Sequence, residues 1–489
     1  MEYDIILITG EIFFDHPLSG IAIIKRWLEK HGYSVGIIET PHKEEDITEL
    51  GKPKLFFGIS SGCIDSMLRN FTPLKKLREE DKHQKYTSSC PNRAVIVYSN
   101  WVRSQYKDSI MVLGGTEASL RRFTHYDYWD NKLRRPILFD SRADILTIGN
   151  SEKQILEIAN RLKEGKNLIG IKGTCIITKE IPKGTTVLPS FTEVSSSKEK
   201  FCDMQNLLTN EKDLIEQIDN RYVLQYACPE YTTKDLDEYY ELDFSREVPK
   251  ELRGFQFSIV SHRGCIGNCN FCSLNLLQGR HIISRSEKSI LNEIKRIREH
   301  REYRGSIDDL GGPSANMYGL DCNKCNKDCF DCDKKPKGKW LTLLKKARKL
   351  AKIYIKSGVR YELLTEEEYD EMRHHIFDTL RVAPEHVNKK ILKLMNKNKG
   401  DFEKFIKGKN KLSYYFIMCH PGSTMKEAEE LARIVKKLKC PDAVQMFTPT
   451  PMTVSTCMYY TGLDPKTKKE VYVPYTYLEK KKQKRLIIS

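Results

Sequence analysis

Apolar and polar positions alternate along the chain in blocks that change period. In the first 180 residues, "YDIILIT", "SVGIIE", "LFFGIS", "SIMVLGG", "ADILTIG" and "GTCIIT" are short apolar runs of strand length. Between them, "IAIIKRWLEKHG", "PNRAVIVYSNWVRSQ" and "SEKQILEIANRLKEG" repeat apolar positions at helical spacing, the first ending at a glycine and the second opened by Pro91. Strands alternating with helices predict a parallel, doubly wound sheet over residues 1–182, with ligands received at the carboxyl ends of its strands. "GGTEAS", 114–119, sits at one such end, where its two glycines suit either a tight turn or a phosphate or flat cofactor.

The rhythm lapses over 183–250. There "LPSFTEVSSSKEK" is expected as a polar loop, "MQNLLTNEKDLIEQIDNRY" as a helix and "YYELDFSREVP" as an extended lead-in, together a connecting segment. Alternation resumes over 251–475. The expected strands are "FQFSIV", "GSIDDLGG", "VRYELL", "TLRVAPE", "LSYYFIMC" and "AVQMFTP", and four helical patterns separate them. Six such units, two short of a closed eight-unit barrel, predict a partial (β/α)6 barrel with its chemistry at the C-terminal ends of the strands. Residues 313–338 interrupt it as an insertion, and "YLEKKKQKRLIIS", within 476–489, has the charge run of a mobile basic tail.

Composition narrows the class. With 489 residues, 39% hydrophobic and 30% charged, the chain can bury more than one core. The start "MEYDIILITGE" lacks a basic leader and no window reaches the length of a membrane span, so a cytoplasmic protein with no membrane partner is expected. A net charge of +16 fits solvated lysine-rich helices or a phosphate-binding surface, which admits RNA or protein as substrate.

In a reducing compartment, clustered cysteines among the 15 present point to metal. "GCIGNCNFC" places Cys265, Cys269 and Cys272 in a C-x3-C-x2-C loop after the first strand of the second half, with no fourth ligand close by. Cubane iron–sulfur clusters take one thiolate per iron, so three ligands leave one iron open to a small molecule; a structural zinc loop with a remote fourth ligand is the alternative. A second group, Cys322, Cys325, Cys329 and Cys332, is spaced C-x2-C-x3-C-x2-C inside the insertion and suits an auxiliary iron–sulfur cluster or structural zinc. The other cysteines read as core residues, with Cys419 and Cys457 kept as weak catalytic candidates because they lie near strand ends.

"GCIGNCNFC" followed by "GG" at the next strand end resembles the radical S-adenosylmethionine (radical SAM) superfamily. The resemblance implies a [4Fe-4S] cluster on Cys265, Cys269 and Cys272 whose open iron binds SAM. It also implies reductive cleavage of SAM to a 5'-deoxyadenosyl radical, and a reductase or a flavodoxin- or ferredoxin-type electron donor as partner. By the same resemblance Phe271 lies near the adenine, Gly311 and Gly312 stand in the glycine-rich SAM motif with Pro313 where an acid is usual, and Glu385 is the polar residue near the methionine or ribose. "MCHPGSTMKEAEEL" resembles the Pro-Gly turn of the fifth unit, with Ser423 as helix cap. Together with "VLGGTEASLRRFTHYDYWD", "GGPSANMYG", "VAPEH" and "MYYTG", these motifs resemble the YgiQ family of radical SAM proteins over residues 3 to 475. That family implies the cofactor and leaves the substrate blank. The first domain resembles the Rossmann-like, cobalamin-binding-like domain that precedes many such barrels. "FDHPLSG" departs from its D-x-H-x-x-G motif at Phe14 and Ser19, so His16 is expected as a structural loop residue and no bound cobalamin is expected. A metal-stapled nucleic-acid-binding protein without turnover is the competing reading.

Overall fold

The computed structural model describes residues 2–78, 90–322, 330, 332 and 338–488, and the chain falls into two compact units. The first comprises Met1–Glu230, Leu242–Glu247 and Pro449–Lys469; the second comprises Tyr231–Glu241, Val248–Thr448 and Glu470–Ser489. Each unit is therefore discontinuous in sequence.

The first unit is built on β1 (Ile5–Thr9), β2 (Val35–Glu39), β3 (Phe56–Ser60), β4 (Met111–Leu113), β5 (Ile145–Thr147), β6 (Thr174–Thr178), β7 (Thr186–Val187), β8 (Leu214–Ile218) and β9 (Arg221–Gln225). Among the described residues they form one sheet in the order β2-β1-β3-β4-β5-β6-β9-β8-β7. All five residues of β1 are buried, as befits a strand covered on both faces. The helices α1 (Gly20–Lys30), α2 (Ala94–Gln105) and α3 (Glu152–Lys163) accompany the parallel half, from β2 to β5. Helix α2 begins three residues after Pro91, because Arg93 stands at its N-cap in the left-handed region with φ 55°.

Beyond β5 the structure departs from the all-parallel expectation: β6 runs antiparallel to β5, and β9 antiparallel to β6. The segment expected as a polar loop holds α4 (Phe191–Ser196), closed by a Ser190–Glu193 capping box, and the start of α5 (Lys198–Leu207). The segment expected as one helix ends α5 and then forms the β8–β9 hairpin, so 183–250 adds strands to the sheet. "LIEQIDNRYVLQ" turns at Asp219, whose φ is 54°, the conformation a two-residue hairpin turn demands. Tertiary pairing with β6 overrides the helical spacing.

In the second unit the parallel segments follow in chain order. β10 (Ser258–Val260) pairs with β11 (Asp309–Gly311); Ser306–Ile307 pairs with β12 (Lys352–Ile353); β13 (Leu380–Glu385) pairs with β14 (Leu412–Met418), and β14 with β15 (Val444–Met446). A single parallel bridge, Val359 to Val382, links the 359 region to β13. Apolar faces of α6 (Glu287–Arg298), α7 (Lys339–Ala347) and α9 (Met425–Leu438) cover these strands, with Ile290, Ile294, Leu343, Leu344, Leu431 and Val435 in one core; α8 (Lys389–Leu394) follows β13. This is the expected partial barrel.

Three local expectations fail here. "VRYELL" is not a strand: Tyr361–Leu363 form a 3-10 turn, and the third strand lies earlier, at β12. Thr424 rather than Ser423 caps α9, in a capping box with Glu427. The basic end is an ordered helix, α10 (Tyr477–Ile488), with Lys480, Gln483 and Ile487 buried at helical spacing. The Gln483 side-chain amide donates to the Ser423 carbonyl at 2.8 Å. Among the described residues, no helix is long and apolar enough to cross a membrane.

Candidate functional site

β10 runs through Ser261, His262 and Arg263 into the cysteine loop, and the loop's shape depends on its glycines. Gly264 has φ 87°, and a Cβ there would lie 1.9 Å from the His281 carbonyl oxygen. At Gly267 a Cβ would lie 2.0 Å from Arg360 Nη1 and 3.3 Å from Cys265 Sγ. The far side of the loop is pinned to the end of α8. Asn270 donates through its backbone to the Met395 carbonyl at 2.9 Å and through its side chain to the Leu394 carbonyl at 2.8 Å, and Asn396 donates to the Asn268 carbonyl at 2.8 Å.

The structure brings Cys265, Cys269 and Cys272 together on this loop, all half-buried. The Gly267 N–H donates to Cys265 Sγ at 3.3 Å, and Arg360 Nη1 donates to Cys269 Sγ at 3.5 Å. Burial raises the Cys265 thiol above its ordinary value and pushes Cys272 up to about 12, with Cys269, Cys265 and Glu385 adding to the rise at Cys272. Such thiols stay protonated unless a positive charge arrives among them; a metal centre supplies that charge, and amide and guanidinium donors already point at two of the sulfurs. Among the described residues no three His, Cys, Asp or Glu side chains already stand close enough to hold a metal ion. The loop thus keeps three thiols within electrostatic range without closing a ligand set, and its donor chemistry fits an iron–sulfur group.

Next to the loop lies a buried charged group that the sequence reading missed. Glu362 Oε1 accepts from Arg360 Nη2 at 2.9 Å and from Lys397 Nζ at 3.0 Å, and the three side chains are only 1–6% exposed. Asn316, from "GGPSAN", fixes the Arg360 backbone on both sides: its Oδ1 accepts from Arg360 N at 2.9 Å and its Nδ2 donates to Arg360 O at 2.8 Å. The available signal was an Arg and a Glu two apart within an apolar run.

Glu385 closes the same neighbourhood. It ends β13 at a register shift, has φ 67°, a rare value for a glutamate, and is 7% exposed. Burial pushes its carboxyl up to about 8 against the pull of Lys397 and Arg360, and its Oε2 has no hydrogen-bond partner among the described residues. Two buried imidazoles share that condition. His262 Nδ1 meets Ser261 Oγ at 2.8 Å and His386 Nδ1 accepts from Asn388 N at 3.0 Å, while the Nε2 atom of each is unpaired among the described residues. Burial holds both neutral, pushed down to about 3 and about 4. Unpaired buried polar atoms are costly, so three of them at or beside strand ends suit a site built to receive a polar ligand.

The other candidates are placed as follows. Phe271 is half-buried, its ring edge-on to His420 at 6.5 Å. Gly311 is buried and its carbonyl accepts from Ser261 N at 2.7 Å and Ser261 Oγ at 3.0 Å, so it already serves the barrel wall. Gly312 packs on His262, where a Cβ would fall 2.5 Å from the ring. Cys419 is buried with φ 59°, its Sγ facing the Lys480 carbonyl at 4.0 Å. Cys457 belongs to the first unit, on the helix Val454–Thr461, with its Sγ 3.8 Å from Cys202 Sγ. Cys322 and Cys332 are half-buried; Cys325 and Cys329 lie outside the described residues. In the first unit His16 is buried, Nδ1 accepting from Leu18 N at 3.1 Å and Nε2 lying 3.4 Å from Arg246 Nη1. In "GGTEAS", Glu117 is buried and accepts from Ser66 N at 2.9 Å and Val95 N at 3.1 Å.

A doubly wound unit joined to a partial barrel with a three-cysteine loop on its first strand defines a radical SAM protein. The family described as Radical SAM N-terminal matches residues 1–258, the Radical SAM superfamily matches 259–435, and a domain of unknown function, DUF3362, matches 442–487. An UPF0313 protein of Methanocaldococcus jannaschii is 41% identical, the match covering 100% of this chain and 89% of that one. Another, from Fusobacterium nucleatum, is 38% identical over 99% of this chain and 95% of its own. The chain belongs to the UPF0313 family and is a radical SAM enzyme, with the [4Fe-4S] cluster and SAM of that class as cofactors. Among solved structures, the radical SAM methyltransferase TsrM from Kitasatospora setae, with cobalamin and a [4Fe-4S] cluster bound, superposes with TM-score 0.55 at 12% identity, covering 100% of this chain and 91% of that one. The cobalamin-dependent radical enzyme OxsB, with aqua-cobalamin bound, gives TM-score 0.51 at 13% identity over 93% of this chain and 55% of its own. At such identity the likeness is one of fold.

Proposed function

We propose that Cys265, Cys269 and Cys272 are the three protein ligands of the [4Fe-4S] cluster and that SAM occupies its open iron beside Glu385, for reductive cleavage and hydrogen abstraction from a substrate. When bound, the pair supplies one electron and a 5'-deoxyadenosyl radical, chemistry that belongs to the cofactors. The chain's own residues bind and orient. Gly264 and Gly267 let the loop backbone close on the thiols, and the Gly267 N–H and Arg360 meet two of the sulfurs. Glu385, neutral at pH 7 because its carboxyl is pushed up to about 8, can donate as well as accept a hydrogen bond. His262 and His386 each keep a buried ring nitrogen free for a ligand among the described residues.

The observation that carries this reading is three thiols on one glycine-shaped loop, with the buried Glu385 acting on one of them and keeping an oxygen without a hydrogen-bond partner among the described residues. Membership of the superfamily does not favour the metal-stapled binding protein, in which the site would be closed and indifferent to SAM. The test uses protein reconstituted without oxygen, reduced with dithionite and given SAM. The wild type should release 5'-deoxyadenosine and a Cys265→Ala chain none. An intact cluster that neither binds nor cleaves SAM would refute the reading.

A further inference from the structure

Arg360 is the one group of the buried charged cluster seen to reach a cysteine sulfur of the loop. Its guanidinium is held from several sides. Nη1 meets Cys269 Sγ at 3.5 Å and Nη2 meets Glu362 Oε1 at 2.9 Å. The Asn316 amide locks the backbone, and the guanidinium carbon stands 4.8 Å from the centre of the Phe330 ring. Phe330 lies inside the cysteine-rich insertion, two residues before Cys332. A side chain merely filling space there would not need a charge, and burying a guanidinium at 6% exposure is expensive unless its partners repay it.

Among the described residues, the charges of this cluster do not cancel. Two basic side chains, Arg360 and Lys397, share the single carboxylate of Glu362, which they hold below the ordinary carboxylate range against its burial. Among the described residues of this cluster the basic groups outnumber the carboxylate that pairs with them, and Arg360 brings its guanidinium to a sulfur. Reduction of an iron–sulfur cluster adds one negative charge to the cluster and its thiolates. A fixed cation and an N–H donor at a ligand sulfur favour the reduced form, because hydrogen bonds to the sulfurs and local charge set such potentials.

We propose that Arg360 is a positioning residue that raises the reduction potential of the cluster on the 265–272 loop, holding its guanidinium against Cys269 through Glu362, Asn316 and the Phe330 ring. The inference rests on the proposed ligand assignment and adds to it the means by which this chain makes the cluster reducible.

The test is the midpoint potential of the reconstituted cluster, read by electron paramagnetic resonance in a dithionite titration without SAM. Arg360→Gln should disfavour reduction about tenfold, a fall of about 59 mV for a one-electron couple. Arg360→Lys should recover most of that, because the charge survives. Glu362→Gln should shift the potential upward, because it leaves the guanidinium uncompensated. Opposite signs for the Arg360→Gln and Glu362→Gln variants cannot come from mere loosening of the site, which would move both the same way. Should Arg360→Gln fail to hold a cluster, the upward shift in Glu362→Gln decides alone. Equal potentials in wild type and Arg360→Gln, a fall in Arg360→Lys as large as in Arg360→Gln, or a downward shift in Glu362→Gln would each overturn the proposal. A wild-type chain that assembles no cluster on the three cysteines would instead overturn the ligand assignment.

Discussion

Glu385→Gln keeps the side chain's shape and removes its ability to ionise, so it isolates the cost of a carboxylate at the end of β13. Burial raises the group from its ordinary 4.5 to about 8, and Glu362 adds to the rise while Lys397 and Arg360 oppose it. With the folded value above the unfolded one, stability is whole below about pH 4.5, where both states are protonated, and is lost as pH rises through about 8. Each pH unit in that window costs about 1.4 kcal/mol. Between pH 6 and pH 9 the wild type should therefore lose about 3 kcal/mol that the Gln variant keeps, an upper bound because water entry softens such penalties. Urea titrations of the cluster-free, reduced chain across that range, followed by circular dichroism and by fluorescence in a background where Trp27, Trp101 and Trp129 are replaced by Phe so that Trp340 of the second unit's core alone emits, give the difference directly. Groups common to both chains cancel. A gap between the two proteins that stays constant from pH 6 to pH 9 would show that the carboxyl is not desolvated, and a wild type gaining on the variant as pH rises would show that the carboxylate is the form the fold prefers.

Gly264→Ala should lose most of its iron on reconstitution with its circular dichroism unchanged, since its Cβ would sit 1.9 Å from the His281 oxygen at φ 87°; iron analysis at the wild-type level would show that the loop can give way. Gln483→Ala removes a 2.8 Å bond to the Ser423 carbonyl and should cost about 1 kcal/mol in urea unfolding, whereas a freely moving tail would show no change.

The parts of the fold legible from the sequence were those where burial itself makes the pattern. β1, β3 and β14 announce themselves as apolar runs, α1, α6 and α9 as stripes at helical spacing. The β8–β9 hairpin escaped because "LIEQI" satisfies both periods until its partners β9 and β7 are known, and it carries a buried Glu216 where a polar residue argues for exposure. The lysine-rich end escaped because its buried face consists of Lys480, Gln483 and Ile487, only one of them apolar. At the site, the three cysteines were legible from spacing alone. The cluster of Arg360, Glu362 and Lys397 was not, since charged residues count as surface in any periodicity argument and only the folded chain brings positions 269, 360 and 397 together.

The first unit has a consequence for how this protein is made and how it can be cut. Its last piece, Pro449–Lys469, is translated some two hundred residues after the rest, and it carries the Val454–Thr461 helix. From that helix Tyr460 stacks on Tyr126 at 4.8 Å and meets Phe201 edge-on, and Cys457 lies against Cys202. A ribosome-bound chain that has finished its amino-terminal sheet still lacks a wall of it until the barrel has emerged. No single cut can therefore free an intact amino-terminal unit; a chain ended at residue 250 would present those aromatic rings to water, and would need Pro449–Lys469 supplied as a separate peptide or rejoined by permutation.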